Sequence, residues 1–273
     1  MKKRNIIIIT GASSGMGKEF VKQCDLHFPN VDEFWLIARN KNKLDTIASE
    51  CRHKCRVLSF DLCNKQTREE LEIIMQTEQP QITMLVNSAG YGILGEFCKS
   101  NYESITDIHS LRDEQTGMVD LNCAALTYMT HLCIPYMKRG GRIIQLASSA
   151  AFLPQPKFAV YAATKSYVLS FCRALNEELR KQQINITAVC PGPVDTEFFE
   201  RAEKGADRLF IKQYVMAKPD KVVKKALLDS RNKKEISIYS LPMQAFYIMS
   251  KILPHKFMLI CMRLLNNQRE ELL

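Results

Sequence analysis

At 273 residues, with 46% hydrophobic and 25% charged side chains, the chain can bury one large core and is too evenly mixed for a fibrous or disordered protein. Its formal charge of +9 is unevenly placed. From Lys218 onward eleven Lys and Arg stand against five Asp and Glu, a net +6, so the excess belongs to the tail and is no sign of nucleic-acid binding. The ten cysteines are scattered and form no Cys-x-x-Cys pair, and Cys51, His53 and Cys55 lack the paired ligands of a zinc site. A reduced, cytoplasmic chain with no metal is expected.

Lys2, Lys3 and Arg4 precede Ile6 to Ile9, a run too short for the apolar core of a signal peptide. Its continuous β-branched character reads as a buried parallel strand, Asn5–Thr10. Further strands are expected at Glu33–Ala38, Arg56–Asp61, Met84–Asn87, Arg142–Ala147 and Asn185–Cys190, with a shorter one at Ile236–Tyr239. Helices are expected near Met16–Cys24, Lys43–Cys51, Arg68–Thr77, Val119–Met137, Tyr161–Gln182 and Lys221–Leu228. The alternation predicts an α/β fold, a doubly wound Rossmann-type parallel sheet with helices on both faces. Residues 1–240 are expected to form this domain and residues 241–273 an apolar, basic, helical extension.

In such a fold ligands bind beyond the carboxyl ends of the strands, and residues fit for chemistry follow the strands here. Gly11, Ser13, Ser14, Gly15, Met16 and Gly17 lie between the first strand and the first helix, where glycines let backbone N–H groups approach a diphosphate. The second strand ends on Ala38 without the acid that bonds a ribose 2′-hydroxyl. Arg39 follows instead, and a guanidinium suits a 2′-phosphate, so NADP(H) is predicted over NAD(H). Tyr161 and Lys165 are one helical turn apart, and a neighbouring ammonium should lower the phenol pKa from about 10.

These residues resemble the short-chain dehydrogenase/reductase family in its single-domain form, over residues 5 to 200. Asp61-Leu62 resembles the family's adenine-contacting pair, and Asn87-Ser88-Ala89-Gly90 its Asn-Asn-Ala-Gly with one departure, Ser88. Asn122, Ser148, Tyr161 and Lys165 match the catalytic tetrad. Ser148 is preferred to Ser149 because an ungapped alignment gives it the family's separation from the tyrosine. Pro191, Gly192, Val194 and Thr196 match the loop over the nicotinamide end. The resemblance implies an oxidoreductase interconverting a carbonyl and an alcohol: Tyr161 exchanges the proton, Ser148 holds the oxygen, and Lys165 keeps the tyrosine acidic and bonds the ribose. Asn122 would hold a water leading to Lys165. A homodimer or homotetramer through the helices carrying Asn122 and Tyr161 is also implied. The rival reading is a non-catalytic NADP(H)-binding regulator, usually marked by loss of a tetrad member.

Two segments should shape the substrate pocket. Gly92–Gly117 reads as an inserted polar loop or a solvated helix connection. Thr196–Pro219 carries Phe198, Phe199, Leu209, Phe210 and Tyr214, either a lipophilic lining or the packed face of a lid helix. A hydrophobic ketone or secondary alcohol is favoured. Leu241–Leu265 is apolar but broken by Lys251, Pro254, His255, Lys256 and Arg263, which argues against a spanning helix. Contact with anionic lipid and packing on a second subunit or on the domain body are both open.

Overall fold

The computed structural model describes residues 3–98, 105–198 and 216–270. Seven strands form one parallel sheet in the order β3-β2-β1-β4-β5-β6-β7. They are β1 (Asn5–Thr10), β2 (Glu33–Ala38), β3 (Lys54–Ser59), β4 (Gln81–Asn87), β5 (Met137–Leu146), β6 (Asn185–Val189) and β7 (Ile236–Ser237). The chain winds outward from β1 to β3 and returns to β4 on the other side of β1. The switch point therefore lies between β1 and β4.

The alternation of side chains along a strand divides the core in two. Ile6 and Ile8 of β1 face one apolar layer with Leu71, Met129 and Val168, while Ile7 and Ile9 face another with Phe20, Leu44 and Val223. The first layer is closed by α3 (Lys65–Glu78), α5 (Leu126–Cys133) and α6 (Ala159–Glu178). The second is closed by α1 (Gly15–His27), α2 (Lys41–Glu50) and α7 (Pro219–Arg231). Helices on both faces make the sheet doubly wound, as expected. Asn40 and Asn64 start α2 and α3 by accepting the N–H groups of Lys43 (3.0 Å) and Gln66 (2.8 Å).

Several elements depart from expectation. β4 begins at Gln81, three residues early, and β7 ends at Ser237, two residues early. β3 begins and ends two residues early. β5 begins at Met137, five residues early, because Met137 pairs with Ile82 before an irregularity restores the ladder at Arg142. The helix expected from Val119 is already under way as α4 (Ile105–Val119), passes through a π turn (Asp120–Ala125) and continues as α5. The polar stretch before Gly117 is therefore helix from Ile105 on, and it buries Gln115 and Met118. After β7 the chain ends in α8 (Leu241–Ile252) and α9 (His255–Glu270). No helix among the described residues is long and apolar enough to cross a membrane.

Candidate active site

The turn between β1 and α1 is held by backbone contact. Gly11 has φ +65°, and a β-carbon on it would lie 2.7 Å from the Ala89 nitrogen. One on Gly17 would lie 2.0 Å from the Gly11 carbonyl oxygen, so only glycine lets α1 start this close to β1. The Thr10 hydroxyl accepts the Ser88 and Ala89 N–H groups at 3.1 Å each, fastening the turn after β4 to β1. Ser14 is the N-cap of α1, yet its side chain caps nothing and the first turn holds no acid. The positive end of α1, beside Ser13, Gly15 and Met16, thus has no acid in its own first turn and no side-chain cap from Ser14.

Along the rim from this turn, Arg39 is exposed after β2, and its carbonyl accepts the Ser59 hydroxyl at 3.0 Å. Lys41 and Lys43 are paired with Asp45 (2.7 Å) and Glu197 (3.0 Å), whereas Arg39 makes no ion pair among the described residues. Asp61 caps the turn after β3 by accepting the Cys63 N–H at 3.0 Å. Leu62 is buried and lines a depression with Thr10, Asn87 and Ala89. Asn87 is turned inward: its amide donates to Thr130 of α5 at 3.1 Å, away from the rim.

The loop after β6 closes the other side. Thr196 approaches within 3.4 Å of where a Gly15 β-carbon would sit, and buried Val194 bridges to Ala217. Pro191 accepts the Ser149 N–H at 2.8 Å, tying this loop to the serine turn after β5. Gly192 leaves room for Met243 of α8, whose sulfur would be 2.8 Å from an added β-carbon. Phe199, Leu209, Phe210 and Tyr214 lie outside the described residues.

Beyond β4 and β5 four groups from three elements meet. The Ser148 hydroxyl accepts the Ala150 N–H at 3.1 Å and acts on the Tyr161 phenol by lowering its pKa. Lys165 is buried, donates to the Leu146 carbonyl at 2.7 Å, and has its ammonium 5.6 Å from the Tyr161 ring centre. Asn122, in the π turn, donates to the Tyr91 carbonyl (2.8 Å) and accepts the Tyr91 N–H (3.0 Å). Gly90 lies between them: a β-carbon there would be 2.9 Å from the Asn122 oxygen and 3.6 Å from the Lys165 nitrogen.

Electrostatics here depart from expectation. Burial pushes the Tyr161 phenol up to about 12, against the lowering effect of the Ser148 hydrogen bond. Burial also lowers the Lys165 ammonium to about 8. Desolvation penalises the charged form of each group, and it is the largest influence on both. The phenol is accordingly protonated at neutral pH.

Residues 5–207 match the family described as short chain dehydrogenase. The chain belongs to the short-chain dehydrogenase family. It is 30% identical over 194 residues to an uncharacterised oxidoreductase of Staphylococcus aureus, covering 70% of this chain and 78% of that protein. Among solved structures it is similar to a short-chain dehydrogenase of Sphingobium yanoikuyae in complex with NADPH, with 26% identity and a TM-score of 0.72 over 98% of this chain and 94% of that one. It is also similar in fold to a Burkholderia phymatum short-chain dehydrogenase/reductase in complex with NAD, at 17% identity and a TM-score of 0.72 over 90% and 92% of the two chains. The chain is thus an oxidoreductase of this family on a Rossmann-type, nucleotide-binding fold.

Within this short-chain dehydrogenase, several residues that support the site carry little sequence signal. Phe158 stacks on Tyr161 with ring centres 4.2 Å apart, and Phe198 is tilted against it at 5.6 Å. Gly92 permits this, since a β-carbon there would fall within 3.0 Å of all three rings. Thr164 receives the Asn122 amide at 3.1 Å and donates to the Tyr161 carbonyl at 2.7 Å, linking the π turn to α6. Thr164 adjoins Lys165, and its position in the Tyr-x-x-x-Lys run is the one signal that could have drawn attention to it. The Tyr91 clamp on Asn122 is made by backbone atoms and leaves no trace in residue type.

Proposed function

We propose that the protein is an NADP(H)-dependent oxidoreductase that interconverts a carbonyl and an alcohol, with Tyr161 as the proton-transferring group. The observation that carries this reading is the meeting of Ser148, Tyr161, Lys165 and Asn122 beside an uncapped helix N-terminus. The residues present fit a phosphorylated dinucleotide. Gly11 to Gly17 would leave room for a diphosphate against backbone N–H groups, and the guanidinium of Arg39 makes no ion pair among the described residues. Asp61, Leu62, Ala89 and Gly90 would hold the adenosine side, Asn87 would support the turn from below, and Pro191, Gly192, Val194 and Thr196 would hold the nicotinamide side.

When bound, the dinucleotide supplies the hydride that reduces the carbonyl carbon. As the carbon–oxygen π pair moves onto oxygen, Tyr161 donates its proton to that oxygen and Ser148 steadies it by a hydrogen bond. A phenol held protonated near neutral pH is in the state a proton donor requires. Lys165 would hold the ribose and, through Asn122 and a water, return a proton to Tyr161. The family chemistry runs backwards for an alcohol.

The surroundings of the phenol favour a lipophilic substrate. Met118, Ala150, Phe158 and Ala162 are buried around it, with Ile93, Leu94 and Phe198 at their edge. Self-association through the helices carrying Asn122 and Tyr161 is supported by Val119 and Tyr167, two large apolar side chains exposed there; light scattering should give a dimer or tetramer. The decisive experiment follows NADPH oxidation across steroids, acyl ketones, sugars and small carbonyls. Tyr161→Phe should lower turnover by about 10²- to 10⁴-fold, the share a general acid contributes, while NADPH binding persists. Undiminished turnover in that variant refutes the role given to Tyr161.

A further inference from the structure

A helix packed on a globular body buries its apolar stripe and shows polar residues to water. α8 breaks that rule. Its inner face is apolar as expected: Phe246 and Tyr247 pack on Phe152 at 6.2 and 4.9 Å between ring centres, and Met243 covers Gly192. Its outer face is apolar too. Leu241, Ala245, Ile248 and Ile252 follow one another at the spacing of a single helical stripe, and all are exposed. Leu241, Ile248 and Ile252 show 78%, 56% and 73% of their surface.

α9 follows α8 directly, across Leu253 and Pro254, with a different composition. Phe257 and Ile260 are exposed beside Lys256 and Arg263. Lys251 is exposed between the two faces of α8, its ammonium 5.8 Å from the centre of the Tyr247 ring. From Leu241 to Arg269 the hairpin holds Lys251, Lys256, Arg263 and Arg269 and no acid, the next being Glu270. Apolar groups on an outward face, bordered by charges of one sign, describe a surface suited to the boundary of an anionic bilayer. α8 has 12 residues, about 18 Å of helix, and cannot span one. A second copy fits less well. A two-fold interface sets a patch against itself, bringing lysines towards their counterparts with no carboxylate in the hairpin to neutralise them.

We propose that the α8–α9 hairpin is a docking surface for an anionic lipid bilayer, with Leu241, Ile248 and Ile252 in the acyl boundary and Lys251, Lys256 and Arg263 at the headgroup phosphates. The proposal depends on the surface alone and is independent of the reaction assigned above. The test is sedimentation of the full chain with vesicles of phosphatidylcholine and with vesicles that also contain phosphatidylglycerol. Binding should require the anionic lipid and weaken as salt is raised. The double substitution Ile248→Glu/Ile252→Glu should abolish it while the unfolding temperature and the emission of buried Trp35 stay unchanged. Lys256→Gln, which removes one exposed charge, should weaken binding about fivefold. Failure to sediment with either vesicle, or equal binding to both, overturns the proposal. So does an Ile248→Glu/Ile252→Glu chain that keeps its vesicle binding and loses oligomeric mass instead, which would assign the face to a second copy or another protein.

Discussion

The glycine turn after β1 and the helical hairpin after β7 lie at opposite extremes of packing. In the turn the backbone segments approach so closely that one added carbon collides with a carbonyl or an amide nitrogen. In the hairpin, large side chains face outward with nothing from the described chain over them. The turn is specified by what cannot fit there and the hairpin by what remains uncovered. A substitution should therefore act through collision in the first region and through loss of a few separable contacts in the second.

The sharpest test of this contrast is Gly17→Ala. The β-carbon has no room against the Gly11 carbonyl, so α1 must move off β1. We expect a loss of about 3 kcal/mol in urea unfolding, together with loss of dinucleotide binding. Unchanged stability would mean that the turn relaxes and is less crowded than described. A smaller effect, confined to recognition, is expected at the rim. Arg39→Asp should weaken NADPH relative to NADH by about ten- to a hundredfold, the worth of a charge-assisted bond to phosphate. An unaltered preference in paired titrations would remove Arg39 from the cofactor assignment.

Between the two regions lies Lys165, whose ammonium is held by burial at about 8. The charged form predominates below that pH and is lost as pH rises through it. If the charge is required, kcat/KM should fall about tenfold per unit above pH 8, where an unburied lysine would hold its activity to about 10. A profile flat to pH 10 would show that the buried charge is not needed. The smallest effect belongs to the hairpin. The Tyr247 hydroxyl accepts from Arg173 at 2.7 Å, and Arg173 also donates to Glu235 at 2.7 Å. Tyr247→Phe should cost about 1 kcal/mol, since the guanidinium keeps its carboxylate partner. A loss as large as that of Gly17→Ala would erase the distinction drawn between the regions.

What could be read beforehand follows the same division. β1 and β2 run between the expected residues because they are buried on both faces and read as continuous apolar runs. β3 is an edge strand, mostly half-buried or exposed, and its bounds are weakly marked in the sequence. The start of β5 was hidden because Lys138, Arg139, Gly140 and Gly141 resemble a loop, and only the pairing of Met137 with Ile82 brings them into the strand. α4 was concealed by its polar composition, since Gln115 is buried there where a sequence pattern puts a polar residue outside. The site residues stood out because glycine, tyrosine and lysine at those spacings have few other uses. The rings around Tyr161 and the outward stripe of α8 depend on which side of a helix the rest of the chain covers, and no local pattern contains that.

The π turn at Asp120–Ala125 has a consequence for how this chain could change. A turn of this kind holds one residue more than an α turn, so deleting one residue within it would let the helix run as plain α with the residues downstream almost in their present phase. Thr130, which receives both Asn87 and Gln145, would stay beside the sheet, whereas the Asn122 amide, inside the turn, would lose its grip on Tyr91 and Thr164. The extra residue therefore matters to the placement of Asn122 and not to the packing of α5 on the sheet.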